Sequence, residues 1–427
     1  MKHPAGQPSL VFADADGNIT DFPDLDAAGM SYETCLLPDK TDFIPLPEGS
    51  ELFVLPGRLP VGCDKVSKEP LLLGEDPFFP GSSFQAVAAF ISPAHTIVYN
   101  SAYQTAAIAP RLPLFAYCAV GWYEGSFWVT AFRSDKDTRQ DCAQFNQDEI
   151  NRKTTRKLKK HKENRLIQHL GKCCLTYSCP AARNYFLERW EAPLPTSPVC
   201  NARCIGCISQ QVSGKCSASQ DRIGFVPTAA EISGVAIPHL QKSRDAIVSF
   251  GQGCEGEPLL QAETIEKAII GIRQKCSWGT INLNSNASLP NAVERLAKAG
   301  LNSLRVSINS AQEKYHSRYY RPHGFTLKDV KSSIRVMKDC GRFVSLNYFI
   351  QPGFTDSPEE FDSLCSLLKT YKPECIQLRN LNIDPEHYFK TISFKDSDEP
   401  MGLTNWLTQI KANFPELQLG YFNPSLG

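Results

Sequence analysis

From about residue 245 to 382 the chain alternates between short apolar runs and longer segments with one apolar face. Ala246-Ile247-Val248-Ser249-Phe250 predicts a strand, and Ala262 to Cys276 predicts an amphipathic helix with Ile265, Ala268, Ile269 and Ile272 on one side. Thr280 to Asn284 is the next strand, followed by a helix from Asn291 to Ala299 that stops at Gly300. The pattern continues with strand Ser303 to Ile308, helix Leu327 to Cys340 and strand Val344 to Ile350. Helix Pro358 to Tyr371 and strand Ile376 to Leu381 complete it. Strands alternating with helices of this length predict parallel βα units, with ligands at the carboxyl ends of the strands. Counting the segment just before Cys200 as a first strand gives six, although Pro193, Pro195 and Pro198 crowd it and suit only an edge.

The flanking sequence has another texture. Residues 1–150 are rich in Pro, Gly and aromatics with short apolar runs such as Leu52-Phe53-Val54-Leu55 and Ser126 to Thr130, which predicts a mixed or β-rich domain. Residues 151–190 form a linker with a basic helix, Asn151 to Arg165, and a cysteine cluster. The core is expected over 191–385, with a C-terminal extension over 386–427. The basic helix, carrying Arg152, Lys153, Arg156, Lys157, Lys159, Lys160, Lys162 and Arg165, is either a solvated face or a surface for RNA phosphates.

Composition narrows the class. A chain of 427 residues is long enough for two or three domains, and its 45 acidic and 45 basic residues argue neither for nor against nucleic acid. The start of the chain lacks the apolar run of a signal peptide, and no stretch carries the ~20 uninterrupted apolar residues of a membrane span. The expectation is a cytoplasmic protein without membrane insertion. Sixteen cysteines in such a chain point to metal or redox chemistry rather than a disulfide framework. Cys340, Cys365 and Cys375 fall in apolar patterns and read as buried thiols.

The chemistry concentrates in Cys200-Asn201-Ala202-Arg203-Cys204-Ile205-Gly206-Cys207. The spacing C-x3-C-x2-C puts three thiolates on one tight loop. Three cysteines on a cubane iron–sulfur cluster leave one iron free, a vacancy that four-cysteine sites lack. The bland alternative is a non-catalytic zinc-binding module in which Cys216 closes a four-ligand site. Further on, Gly251-Gln252-Gly253-Cys254-Glu255-Gly256 spells the G-x-G-x-x-G of a dinucleotide fold. Pro258 where the helix should open, and acidic Glu255 and Glu257 where a pyrophosphate would sit, argue against that reading.

The cysteine loop, and the segments that follow it in order, resemble the radical S-adenosylmethionine (radical SAM) superfamily. Gly256-Glu257-Pro258-Leu259 resembles its second-strand motif, and Leu283-Asn284-Ser285-Asn286 its third-strand segment. Arg305 to Ser310, including Ser307 and Asn309, resembles the fourth, followed by Tyr319-Tyr320-Arg321-Pro322. Asn347 to Gly353 is similar to the fifth, near the adenine, and Gln377 to Asn380 to the sixth. The resemblance covers about 190 residues and no single subfamily. It implies a partial (βα)6 TIM-like barrel, a 4Fe-4S cluster on Cys200, Cys204 and Cys207, and reductive cleavage of SAM to a 5′-deoxyadenosyl radical. It also implies SAM contacts from Gly256, Glu257, Pro258, Asn284, Ser307, Asn309 and Arg321, with Glu257 preferred to Glu255 for the SAM ammonium. Its electron would come from a one-electron reductant such as flavodoxin or ferredoxin. The substrate is open, RNA and peptide included. Many members carry a second iron–sulfur cluster, for which Cys173, Cys174 and Cys179 are the candidates, the alternative being ordinary thiols. Cys254, beside the second-strand motif, reads as a packing residue or a participant in the site.

Overall fold

The computed structural model describes residues 3–211, 216–395 and 399–427. Residues 212–215 of the expected core and 396–398 of the expected extension lie outside the described residues.

Two compact units interleave along the chain. The first comprises Met1–Asp137, Phe349–Ser363 and Leu378–Pro415. Its N-terminal part is antiparallel: Ser9–Ala13 pairs with Ile19–Ala27, Gln85–Phe90 and Val120–Tyr123. Val120–Tyr123 continues into Ser126–Arg133 through Glu124-Gly125, whose positive φ angles of 45° and 78° are those a tight hairpin turn requires. Val11, Ala13, Val87, Ala89, Val120 and Val129 alternate inward to form its core. In the same unit Arg58 is bound to Asp384 at 3.2 Å, both side chains almost fully buried. Asp384 also accepts the Leu112 N–H at 2.9 Å and caps the helix Pro385–Ile392.

The second unit, Thr138–Tyr348, Leu364–Gln377 and Glu416–Gly427, holds most of the parallel sheet, the last residues of two strands, from 349 and from 378, falling in segments of the first unit. It begins with helices α1 (Gln147–Lys160), α2 (Arg165–Leu175) and α3 (Pro180–Leu187). The expected basic helix, Asn151 to Arg165, falls on α1, which starts earlier at Gln147 and ends at Lys160, while Arg165 opens α2. Helix α1 starts early because Asn146 accepts the Glu149 N–H, and Asn164 starts α2 by accepting from Ile167. The strands are β1 (Glu191–Pro193), β2 (Ile247–Phe250), β3 (Thr280–Ser285), β4 (Ser303–Ile308), β5 (Phe343–Ile350), β6 (Cys375–Asn380) and β7 (Gln418–Gly420). Between them run α4 (Ala229–Lys242), α5 (Ala262–Lys275), α6 (Pro290–Ala299), α7 (Glu313–Tyr320), α8 (Leu327–Asp339) and α9 (Pro358–Tyr371).

Among the described residues the seven strands lie in chain order, β1 to β5 pairing in parallel and β6 in parallel with β7. This order winds in one direction and never reverses, which is the course of a half-barrel and not of a dinucleotide-binding sheet. The first strand is three residues long, sits at the sheet edge and ends at Pro193, where proline costs no ladder hydrogen bond. The seventh strand comes from beyond residue 385 and adds one to the six expected. Among the described residues no helix is long and apolar enough to cross a membrane.

Candidate active site

The strands of the half-barrel alternate polar and apolar residues. On β3, Ile281 and Leu283 alternate with Thr280, Asn282 and Asn284, yet all are buried. Parallel strands covered by helices on both faces are usually apolar throughout, so this alternation marks an inner face built for polar contacts. A hydrogen-bonded chain crosses that face. Asn282 Nδ2 donates to Asn284 Oδ1 at 2.8 Å, and Ser303 Oγ donates to Asn282 Oδ1 at 2.7 Å. Ser249 Oγ donates to Glu191 Oε1 at 2.6 Å. Asn423, close to the end of the chain, donates to the same Glu191 oxygen at 3.0 Å. It also accepts from Gln377 Nε2 at 3.1 Å, while Gln377 Oε1 accepts from Arg305 Nη1 at 3.1 Å.

At the carboxyl ends of the strands lies the loop from β1 to α4 that carries Cys200, Cys204 and Cys207, all half-buried. Its backbone is held by the end of α7: Arg203 N–H donates to Tyr320 O at 2.8 Å and Ile205 N–H to Tyr319 O at 3.1 Å. The Tyr319-Tyr320 pair thus serves the cysteine loop through its carbonyls, and Arg321 ends α7 in a left-handed conformation with its side chain exposed. Burial, with the Glu257 carboxylate next, pushes the Cys200 thiol up to about 11, and burial raises Cys204 further. Cys200 feels the charge of Cys207, and Cys204 that of both Cys207 and Cys200, so the three thiols lie close enough to act on one another. Arg222 places Nη2 3.5 Å from Cys207 Sγ and anchors Nε on Ser209 Oγ at 3.1 Å. It supplies the positive charge that an anionic thiolate set calls for.

The second-strand motif is stitched to this loop. Gly256 N–H donates to Ser197 O at 2.7 Å and Glu257 N–H to Val199 O at 2.9 Å. A Cβ on Gly256 would stand 2.0 Å from Val199 O. Glycine here admits the chain's own carbonyl, a different close approach from the ligand contact expected of it. Both carboxylates are buried and satisfied from within. Glu255 accepts from Thr196 N and Ser197 N with one oxygen (2.7 and 2.9 Å) and from Gly251 N and Gln252 N with the other (both 2.7 Å). Glu257 accepts from Leu259 N at 3.0 Å, Ser285 Oγ at 2.5 Å and Asn286 N at 2.9 Å. Burial pushes each up to about 7 against those donors. Glu257 thereby joins the motif to the end of β3 and starts the short turn at Pro258, which is buried.

Asn284 is buried and donates to Gly251 O at 3.0 Å, while Ser307 on β4 accepts from Asn347 Nδ2 at 3.4 Å. Asn309, fully buried at the end of β4, reaches Tyr315 O at 3.4 Å. Asn201 and Asn286 were not singled out from sequence, yet their side chains bond at 2.8 Å and tie the cysteine loop to the end of β3. The signal for Asn286 was a run of small polar residues at a strand end, and for Asn201 its place inside the cysteine run. Arg222 lies fifteen residues past Cys207 and carried none.

The N-terminal cysteines divide. Cys174 turns to Thr154 Oγ1 at 3.5 Å and does not join Cys173, because neighbours on a helix project about 100° apart. Cys173 instead meets Cys254 and His169. A hydrogen bond from Cys254, followed by one with His169, brings Cys173 down to about 5, and the shared proton raises Cys254. The basic residues Lys153, Arg156, Lys157 and Lys160 line a cleft of about 410 Å³ with Lys242 and His239. Within it Lys157 Nζ lies 3.8 Å over the Tyr185 ring.

A parallel half-barrel with a three-thiol loop at its carboxyl end and a polar interior is an α/β core with a candidate metal site. Residues 194–365 match the family model of the radical SAM superfamily. Among solved structures, a radical SAM methyltransferase from Sphaerobacter thermophilus is 15% identical with a TM-score of 0.36, covering 48% of this chain and 63% of that one. SuiB of Streptococcus suis, bound to precursor peptide SuiA, is 15% identical with a TM-score of 0.38, covering 57% and 53%. The FeFe-hydrogenase maturase HydG from Carboxydothermus hydrogenoformans is 15% identical with a TM-score of 0.35, covering 64% and 75%. The chain spans less than two thirds of the first two. A search of curated protein sequences finds no match.

Proposed function

We propose that the chain is a radical SAM enzyme that holds a 4Fe-4S cluster on Cys200, Cys204 and Cys207 and modifies an as yet unidentified substrate. The observation that carries this reading is the three-thiol cluster on one loop at the mouth of a half-barrel with a polar inner face. When bound, the cluster and SAM, with an electron from a flavodoxin- or ferredoxin-like donor, supply a 5′-deoxyadenosyl radical. The chain's own residues do the rest. Arg222 balances the thiolate charge, and the carbonyls of Tyr319 and Tyr320 fix the loop. Glu257, Asn286 and Asn201 lock the loop to the strand ends, which leaves the β4 residues Ser307 and Asn309 and the inner-face amides to orient polar ligand groups. With both glutamates already satisfied, recognition of the SAM ammonium falls to backbone carbonyls of the Gln252–Gly256 turn.

The test is anaerobic reconstitution with iron and sulfide. The expected protein is brown and releases 5′-deoxyadenosine from SAM and dithionite, while Cys200→Ala, Cys204→Ala and Cys207→Ala each lose both properties. A colourless protein that retains zinc, and loses it in Cys216→Ala, would establish the zinc module instead. Release that rises when RNA is added would identify the substrate class and give the basic cleft its partner.

A further inference from the structure

Away from the three-cysteine loop, the turn after β2 meets helix α2 in a second group of metal-binding side chains. His169 and Cys173 stand four residues apart on α2, so they project from one face of the helix. Cys254 enters from the turn after β2, and one ligand atom from each of the three lies within 4.8 Å of the others. The two helical ligands are 3.5 Å apart, Nε2 to Sγ. Bonds of the usual zinc–nitrogen and zinc–sulfur lengths at a tetrahedral angle put two such atoms about 3.6 Å apart. The agreement arises without any rearrangement.

The environment fits a closed site. Cys173 and Cys254 are 1% and 4% exposed. Cys179 lies next to them: its N–H donates to Cys173 O at 3.1 Å, and its thiol interacts electrostatically with both. We propose that His169, Cys173, Cys254 and Cys179 form a mononuclear Cys3His zinc site that clamps helix α2 to the turn bearing Glu255 and Glu257. Thiolates of an iron–sulfur cubane bind different irons and so stand farther apart than thiolates sharing one ion. The short separations here therefore select a single ion over the second cluster expected from sequence. Three ligand atoms already stand together, and the Cys179 thiol would close the fourth position; imidazole with thiolates in such a buried site suits zinc in a structural role. This assignment is independent of the radical SAM reading, since it uses none of the residues of the three-cysteine loop.

The experiment uses the full chain carrying Cys200→Ala, Cys204→Ala and Cys207→Ala, so that any thiolate-bound metal must use other ligands. The chelator-treated protein is titrated with cobalt(II) and then zinc(II), with circular dichroism as the check on folding. One cobalt per chain should bind with the strong visible bands of a tetrahedral thiolate complex, and zinc should bleach them. Adding Cys173→Ser or Cys254→Ser should remove the bands, and adding Cys174→Ala should leave them unchanged. If a serine variant does not fold, the sulfur-to-cobalt charge-transfer intensity of the parent still counts its thiolates, and fewer than three overturns the site. Folded protein that binds no cobalt, or bands that survive both serine substitutions, overturns it as well. So does a brown iron cluster retained by the parent through chelation.

Discussion

At the scale of single residues, the informative pair is Glu255 and Glu257. Each carboxylate sits where a ligand-binding acid was expected, and each is consumed by donors of the chain itself. Converting Glu257 to Gln replaces one acceptor oxygen with a donor, leaving Asn286 N–H or the Leu259 and Ser285 donors facing an NH2 group. A lost hydrogen bond to a charged group costs about 1.5–3 kcal/mol. Glu257→Gln should therefore lower the urea midpoint in the absence of SAM. Glu255→Gln should lower it more, because two of its four backbone donors lose their partner. Unchanged stability with weakened SAM binding, measured by equilibrium dialysis, would return Glu257 to the ammonium site. The residue types were legible in the sequence, but their roles were not, because a carboxylate in a glycine-rich turn looks the same whether it faces a ligand or its own backbone.

At the scale of elements, regular amphipathic segments read correctly: strand Ser303–Ile308 and helix Pro358–Tyr371 fall where the periodicity put them. What escaped depended on contacts distant in sequence. Helix α7 is short and patterned by aromatics, β7 is a three-residue edge strand, and α2 is started by one Asn cap, Asn164, near the end of the basic run. Helix α4 shows how packing changes a titration. His239 is buried, with Nε2 3.2 Å from Trp190 O, and burial brings it from the usual 6.5 down to about 4, with Lys157 nearby adding to the effect. Between those values the unfolded chain binds a proton that the folded chain excludes. Stability is therefore full above pH 6.5 and falls as the pH drops toward 4, by about 3 kcal/mol at most. His239→Gln keeps an N–H donor for Trp190 O without a titrating ring, so its unfolding midpoint should fall less than that of the parent between pH 6.5 and 4. Equal slopes in the two proteins would assign the acid sensitivity elsewhere.

At the scale of the whole molecule, the chain does not fold as a row of beads. Segments 349–363 and 378–415 belong to the first unit, and 416–427 returns to the second. Composition had suggested consecutive domains, since it registers texture along the chain and cannot register where a segment goes. The Arg58–Asp384 pair fastens two parts of the first unit that are 326 residues apart. Asp384→Asn would leave the Arg58 guanidinium buried without a counter-charge, a change that costs about 3–5 kcal/mol. The expected result is a lower unfolding midpoint with the iron content unchanged, and a midpoint within error of the parent would show that water or a neighbour compensates.

Asn423 gives the half-barrel a mechanical property that strand pairing alone would not. An open arc of strands has no closing ladder, so its curvature is free to vary unless something spans it. This one side chain runs from Glu191 on β1 at one edge to Gln377 on β6 near the other, like the string of a bow. The width of the arc is thereby set by the length of an amide and two hydrogen bonds. A small shift in the last residues of the chain would be felt as a change in span between the strand that leads into the cysteine loop and the strands opposite it.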